Sequence, residues 1–168
     1  MKKLLLVIDV QKAFINENTQ HIPNKINELI NQNKYDNIVF TRFINDEHSL
    51  WVEKLDYKEC ISEESRKIMI DTKDNLVIDK NIYSALNEEL KQYIIDNNIK
   101  DIYLCGIDTE CCILKTALDL FENEFNVYIL KDYCACTHGK ERHNNAIEIL
   151  KRTIGSKKKK KKSNRRKQ

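Results

Sequence analysis

Continuous apolar runs alternate along this chain with segments whose apolar residues recur at helical spacing. The runs lie at residues 4–9, 37–43, 75–79, 101–106 and 126–130. Runs that lack an alternating polar face are typical of parallel strands that helices cover on both sides. The alternation therefore predicts an α/β fold built on a doubly wound, mainly parallel sheet.

Four segments between or after these runs have helical periodicity. They lie at residues 22–33, 84–97, 110–123 and 139–152. The interval 44–74 is less regular, although residues 62–70 are compatible with a short helix that Ser62 would cap. A long irregular stretch between two strands often forms a pocket wall or a lid.

Charge divides the chain into two parts. Nine of the 29 basic residues lie beyond residue 156, where no acidic residue occurs. The rest of the chain therefore contains 20 basic and 26 acidic residues. We predict one acidic domain over residues 1–154 and a disordered basic tail over residues 155–168. Because the tail lacks interleaved aromatic residues, nucleic-acid binding is expected to be non-specific at most.

The first apolar run is too short for an export signal or a membrane span. It ends at Asp9 after five apolar residues, whereas a signal peptide needs roughly 7–15 and a membrane helix roughly 20. We therefore expect a cytoplasmic protein that does not associate with membranes. In that compartment the six cysteines should be reduced thiols.

A carboxylate, an ammonium and a thiol follow three of the predicted strands. They belong to Asp9, Lys80 and Cys112. Since parallel sheets bind ligands at the carboxyl ends of their strands, these groups are expected to converge there. Cys112 would then be a nucleophile, Asp9 its proton acceptor and donor, and Lys80 the compensating cation. Taken singly, a buried thiol, a helix-capping carboxylate and a solvated lysine are the alternative interpretations.

The position of Cys112 favours reactivity over that of its neighbour. It lies in the first turn of a predicted helix that begins near Thr109. Free backbone N–H groups in that turn would lower the pKa of the thiol and could also bind an oxyanion. Cys111 would point about 100° away on such a helix, and we expect it to pack in the interior.

Four segments resemble the motifs of the isochorismatase-like cysteine hydrolases. DVQKAF at residues 9–14 is similar to their D-x-Q-x-x-F opening, and KNIYSA at 80–85 to their K-x-x-Y-S-A segment. GIDTECCILKTALD at 106–119 is similar to their nucleophile motif G-x-x-T-x-x-C-V-x-x-T-A-x-D, with Ile113 in place of Val. KDYCA at 131–135 and the later His143 resemble the final motif region. The resemblance covers roughly residues 3–154.

This resemblance implies a three-layer α/β/α sandwich with five to six strands and a triad of Asp9, Lys80 and Cys112. It also implies a cis peptide between Ile107 and Asp108, with the backbone N–H groups of Asp108 and Cys112 forming the oxyanion hole. Family members hydrolyse C–N bonds in small amides or ureido compounds, or the vinyl ether of isochorismate. Cys112 favours amide or carbamoyl chemistry, with isochorismatase-type hydrolysis or catalytically silent small-molecule binding as the alternatives. A homo-oligomer is also expected, since relatives often oligomerise.

The resemblance argues against a metal at the family's usual position. Metal-dependent nicotinamidases carry D-x-H after the second strand, where this chain has Phe43 and Asn45. An aromatic ring cannot ligate a metal and a neutral amide is a poor zinc ligand, so we expect no metal and no cofactor, and doubt nicotinamide as substrate. Cys134-x-Cys136 with His138 hints at a metal site, but no second ligand pair follows, which favours buried or loop thiols.

Four aromatic side chains are candidates for an apolar wall around the substrate. They are Phe14, Phe43, Trp51 and Tyr83. Ordinary core packing is the alternative explanation for each of them. The sequence does not identify the substrate beyond a small molecule.

Overall fold

Residues 2–156 are described by the structure, which is a computed structural model. Most of the basic tail, for which disorder is predicted, lies outside the described residues. Within residues 2–156 no helix is both long enough and apolar enough to cross a bilayer. All six cysteines of this span are free thiols.

The five apolar runs form five strands of one parallel sheet. The strands are β1 (Lys2–Ile8), β2 (Asn37–Phe43), β3 (Leu76–Lys80), β4 (Ile99–Ile107) and β5 (Asn126–Ala135). Their order is β3-β2-β1-β4-β5, and every neighbouring pair is parallel. The chain thus moves outward from β1 to β3 and then returns to the other side of β1. This is the doubly wound arrangement that the sequence predicts.

Helices connect these strands and cover both faces of the sheet. They are α1 (Ile22–Asn31), α2 (Leu50–Leu55), α3 (Glu63–Arg66), α4 (Glu88–Asp96), α5 (Leu114–Glu122) and α6 (Lys140–Thr153). Ser62 caps α3 by accepting from the Ser65 N–H, as predicted, but the helix ends at Arg66 instead of reaching residue 70. The sequence pattern does not reveal α2, because six residues are too few to show a helical period. Its N-cap is Ser49, whose hydroxyl oxygen accepts a hydrogen bond from the backbone N–H of Val52.

Strand β1 lies at the centre of the sheet and contributes to both hydrophobic cores. Leu5 and Val7 pack on one face with Ile26 of α1. Leu4 and Leu6 pack on the opposite face with side chains of α4, α5 and α6. Burial on both faces explains why this strand is an unbroken apolar run. The molecule is therefore the predicted three-layer α/β/α sandwich.

Gly106 of β4 permits the close approach of β4 to the end of β1. Its φ is +125°, and a Cβ atom there would lie 2.0 Å from the carbonyl oxygen of Ile8. L residues rarely adopt this backbone conformation, and the clashing atom belongs to the central strand. The strands can therefore take this spacing only with glycine at residue 106.

We expect Gly106→Ala to destabilise the protein by roughly 3 kcal/mol or more, because backbone strain adds to overpacking. Gly139→Ala is the matched control, since Gly139 has φ +108° but an added Cβ would meet no atom within 4 Å. It should lose only about 1–2 kcal/mol. Urea unfolding of both variants measures the difference, and equal losses would contradict the steric explanation.

Candidate active site

The three residues singled out at strand ends come together at the carboxyl edge of the sheet. Asp9 directly follows β1, and Lys80 is the last residue of β3. Cys112 lies in a π-helical turn, Thr109–Ile113, that joins β4 to α5. Strand β2 separates β3 from β1, so the long side chain of Lys80 spans this strand to reach the other two residues.

The ammonium of Lys80 contacts both of the other groups. Its Nζ lies 2.8 Å from Oδ2 of Asp9 and 3.5 Å from Sγ of Cys112. It also donates to the carbonyl oxygens of Ile82 and Tyr83 at 2.8 and 3.1 Å. Asp9 is fully buried, Lys80 is 5% exposed and Cys112 is 8% exposed. The cation is therefore positioned to compensate negative charge on either neighbour.

Asp9 is held in place by Thr41 of β2. Its backbone N–H donates to the carbonyl oxygen and to Oγ1 of Thr41, and the Thr41 hydroxyl donates to Oδ1 of Asp9 at 2.8 Å. The residue leaves β1 with φ +50°, in the left-handed region that aspartate tolerates better than most residues. Apart from the ion pair, Oδ2 has no hydrogen-bond partner within residues 2–156. This oxygen is therefore the one with capacity to exchange a proton.

The pKa of Cys112 is shifted in the direction opposite to the one expected from its place in the chain. A position in the first turn of a helix predicts a lowered pKa, whereas burial has the opposite effect. Burial and the nearby Asp9 carboxylate raise the pKa of the Cys112 thiol, and Lys80 opposes this shift. Burial also disfavours the charged form of Lys80, but Asp9 and Cys112 outweigh it, so the pKa of Lys80 is raised. Lys80 thus opposes the effect that burial and Asp9 have on the pKa of the Cys112 thiol.

The turn before Cys112 is fixed from two directions. The peptide between Ile107 and Asp108 is cis, as the resemblance implied. The carboxylate of Asp108 accepts from the backbone N–H and the hydroxyl of Thr137 at 2.7 and 3.1 Å. Burial raises the pKa of Asp108 to about 6. Thr109 Oγ1 lies 2.7 Å from Nδ1 of His143 on α6, so α6 and the exit of β5 both support this turn.

Three of the four predicted pocket aromatics form a row beside Lys80. The Trp51 ring lies 5.5 Å from the Phe43 ring and 5.3 Å from the Tyr83 ring, measured between centroids. Nζ of Lys80 lies 5.3 Å from the centre of the Phe43 ring. Phe14 is not part of the row and instead stacks on Tyr57, with centroids 6.3 Å apart.

Asn45, which was compared with the family's metal-binding histidine, has a structural role. The amide nitrogen of Asn45 donates to the carbonyl oxygens of Tyr57 and Glu59, both at 3.0 Å. Its amide oxygen accepts from Ser49 and from the Asp46 N–H. Because all its polar groups are in use, Asn45 holds the irregular segment after β2 in place.

Two residues with buried polar side-chain groups were not singled out from the sequence. The side chain of Gln11 accepts from the Phe43 N–H at 2.7 Å and donates to the carbonyl oxygens of Phe43 and Arg66. It occupies the glutamine position of the D-x-Q-x-x-F motif, which was the available signal. The hydroxyl of Tyr57 is buried without a hydrogen-bond partner within residues 2–156, and nothing in the sequence distinguishes it.

Comparison with known proteins places the whole sheet in one family. A family model described as the isochorismatase domain matches residues 3–157. The chain is 31% identical over 160 residues to isochorismatase family protein 2A of Dictyostelium discoideum, covering 89% of this chain and 74% of that protein. Isochorismatase family proteins 1B and 1A of the same organism are matched over only 65% and 66% of their length.

Solved structures share the architecture. Pyrazinamidase of Pyrococcus horikoshii, in complex with zinc, superposes with a TM-score of 0.81 at 26% identity over 92% of this chain and 97% of that one. N-carbamoylsarcosine amidase from Thermoplasma acidophilum superposes with a TM-score of 0.78 at 18% identity over 93% and 94% of the two chains. The second likeness shows the fold alone.

The buried ion pair gives a stability prediction. Lys80→Met leaves the Asp9 carboxylate without a cation, and we expect it to lower the free energy of unfolding by about 3–5 kcal/mol. Adding Asp9→Asn in the same chain should recover part of that loss, because the uncompensated charge is removed. Urea unfolding of the single and double variants measures both effects.

Arg42→Met is the matched control for this ion pair. Arg42 pairs with Asp79 between β2 and β3, but the two side chains are 37% and 52% exposed. Its loss should therefore cost no more than about 1 kcal/mol. A loss for Lys80→Met as small as that for Arg42→Met would contradict the importance of the buried pair.

Proposed function

The chain belongs to the isochorismatase family of hydrolases, and from this membership we propose that it is a cysteine-dependent amidohydrolase. Its substrate would be a small amide or a ureido or carbamoyl compound, cleaved at the C–N bond through an acyl-enzyme on Cys112. One observation carries the proposal. The ammonium of Lys80 lies 2.8 Å from Asp9 and 3.5 Å from Cys112, so a base, a cation and a thiol share one site.

The first step would be attack by Cys112 on the substrate carbonyl. Because burial raises the pKa of this thiol, the proton would move to Oδ2 of Asp9 as the C–S bond forms. Lys80 would compensate the negative charge whether it resides on Asp9, on sulfur or on the substrate.

The tetrahedral intermediate would place its oxyanion against backbone donors of the turn. We assign this role to the N–H groups of Asp108 and Cys112, which offer fixed dipoles in a site largely closed to water. Collapse of the intermediate breaks the C–N bond, and the proton held by Asp9 passes to the leaving nitrogen. Ammonia or an amine departs and a thioester remains on Cys112.

Water would complete the reaction. Asp9, again ionised, accepts a proton from water while the water oxygen attacks the thioester carbonyl. The C–S bond breaks, the thiol of Cys112 recovers a proton, and the acid is released. The sum is an amide and one water giving an acid and an amine, and it uses no cofactor.

The aromatic row would contact the part of the substrate that does not react. Phe43 is 4% exposed and Tyr83 is 39% exposed, so the row extends from the buried ammonium towards the surface. An apolar wall beside one buried cation suits a small, largely uncharged molecule. The solved amidases of this architecture, whose names refer to pyrazinamide and to N-carbamoylsarcosine, indicate the two compound classes to try first.

Replacement of the nucleophile tests the proposal directly. Cys112→Ala should abolish ammonia release from a panel of small amides and N-carbamoyl amino acids, because no acyl-enzyme can form. Cys111→Ala is the control and should retain activity, since its Sγ faces Glu110 rather than Lys80. Intact-protein mass spectrometry of quenched turnover should show the added mass of the acyl group, and peptide mapping should place it on the peptide that contains Cys112.

Full activity in Cys112→Ala would refute the assigned nucleophile. Binding of panel compounds with no turnover by the wild-type chain would instead favour a silent small-molecule binding protein on the same fold.

The aromatic row has its own test. We expect Trp51→Ala to reduce kcat/KM by roughly tenfold, the equivalent of about 1.4 kcal/mol of lost substrate contact. Leu55→Ala on the same short helix is the control, because Leu55 is 61% exposed. Unchanged kcat/KM in a folded Trp51→Ala protein would remove Trp51 from the pocket.

A further inference from the structure

Three potential metal ligands meet where the π-helical turn approaches the residues that follow β5. Glu110 lies in the π-helical turn, while Cys136 and His138 follow the end of β5. A carboxylate oxygen, a thiol sulfur and an imidazole nitrogen of these residues all lie within 4.8 Å of one another. The set combines two elements that are distant in sequence, so it is a product of the tertiary structure.

The spacing is close to that of a tetrahedral metal site. Bonds of roughly 2.0–2.3 Å to zinc would place the donor atoms about 3.3–3.8 Å apart, so closure needs a contraction of at most about 1.5 Å. His138 is an exposed residue and can supply this movement. Its Nδ1 lies 3.2 Å from the hydroxyl of Thr137, a contact of the kind that orients ligating histidines.

The carboxylate of Glu110 independently offers an oxygen that could bind a cation. Its Oε2 is buried and has no hydrogen-bond partner within residues 2–156. A buried carboxylate oxygen without a donor is unfavourable, and native structures rarely contain one without an ion or water to satisfy it. Sγ of Cys136, which is 1% exposed, accepts the backbone N–H of His138 at 3.3 Å. Ligating sulfur atoms often accept such second-sphere bonds.

We propose that Glu110, Cys136 and His138 form a binding site for a divalent transition-metal ion, of which Zn²⁺ is the best match. Sulfur, imidazole and carboxylate are the donor types that zinc prefers. One thiolate and one carboxylate neutralise its charge, and the exposure of His138 leaves the fourth position open to water.

This site is separate from the group formed by Asp9, Lys80 and Cys112, and the proposed hydrolysis does not use it. Its ion would tie the exit of β5 to the turn that carries Cys112. A second group of nearby donors, Asp108, Glu110 and Cys111, shares Glu110. It is the poorer candidate because the Asp108 carboxylate is already bonded to Thr137.

Cobalt binding to the reduced, tag-free full chain tests the proposal. One equivalent of Co²⁺ should produce a near-ultraviolet absorption from thiolate-to-metal charge transfer, and Zn²⁺ should displace it. Cys136→Ser should abolish this band. Glu110→Gln and His138→Ala alter less buried residues and should weaken binding roughly tenfold or more. Zn²⁺ should raise the Tm of the wild-type protein but not that of His138→Ala.

Three controls exclude other thiols. Cys112→Ala, Cys111→Ser and Cys134→Ser should each keep the cobalt band, since none of these residues is a proposed ligand. Absence of the band in the wild-type protein would overturn the proposal. Persistence of the band in Cys136→Ser, or its loss in Cys111→Ser, would equally overturn the assigned ligands. None of these measurements depends on hydrolase activity, so they test the metal site even if the proposed reaction does not occur.

Discussion

A buried ammonium and a buried carboxylate in contact at the edge of the sheet constrain everything around them. Neither charge can remain alone in the interior, so Lys80 and Asp9 must meet. Their contact fixes the end of β3 against the end of β1 across the intervening strand. The carbonyl oxygens of Ile82 and Tyr83 accept the remaining protons of the ammonium, which also fixes the chain that follows β3.

Neutral polar side chains extend this constraint to the irregular segment after β2. Gln11 joins the chain beyond Asp9 to both backbone groups of Phe43 and to Arg66. Asn45 then anchors the segment that carries Trp51. Buried amides of this kind orient their neighbours without adding charge. The aromatic row can therefore lie beside the ammonium even though α2 has only six residues.

The turn after β4 serves two sets of contacts at once. Cys112 faces Lys80, whereas Asp108, Thr109 and Glu110 face β5 and α6. Gly106 lets β4 approach β1 closely enough for the first set. An ion held by Glu110 would stiffen the second set, and the position of the proposed nucleophile depends on both. The same turn thus carries the proposed nucleophile and the residues that hold it in place.

Local patterns were sufficient for the architecture but not for every contact of the site. The apolar runs identified all five strands, because burial on both faces leaves an unbroken signal in each segment. The predicted strand ends, and then the motifs, pointed to Asp9, Lys80 and Cys112, and the structure brings these three together. Helix α2 was missed because it is shorter than two turns. Phe14 was grouped with the other aromatics, but its ring stacks on Tyr57, and only packing in three dimensions decides such a pairing.

The direction of the pKa shift of Cys112 and the grouping of Glu110 with Cys136 and His138 were decided by the tertiary structure. The sequence places Cys112 at the start of a helix, which favours a low pKa, but burial beside Asp9 raises it instead. Cys136 and His138 have no second ligand pair nearby in the sequence, and Glu110 joins them only because β4 and β5 are neighbours. The sequence by itself determined the fold and the identity of the three central residues, since both are encoded in short segments. Solvent exclusion and contacts between distant segments exist only in the folded chain, so they decided the direction in which the pKa of the thiol shifts and the neighbours of Glu110.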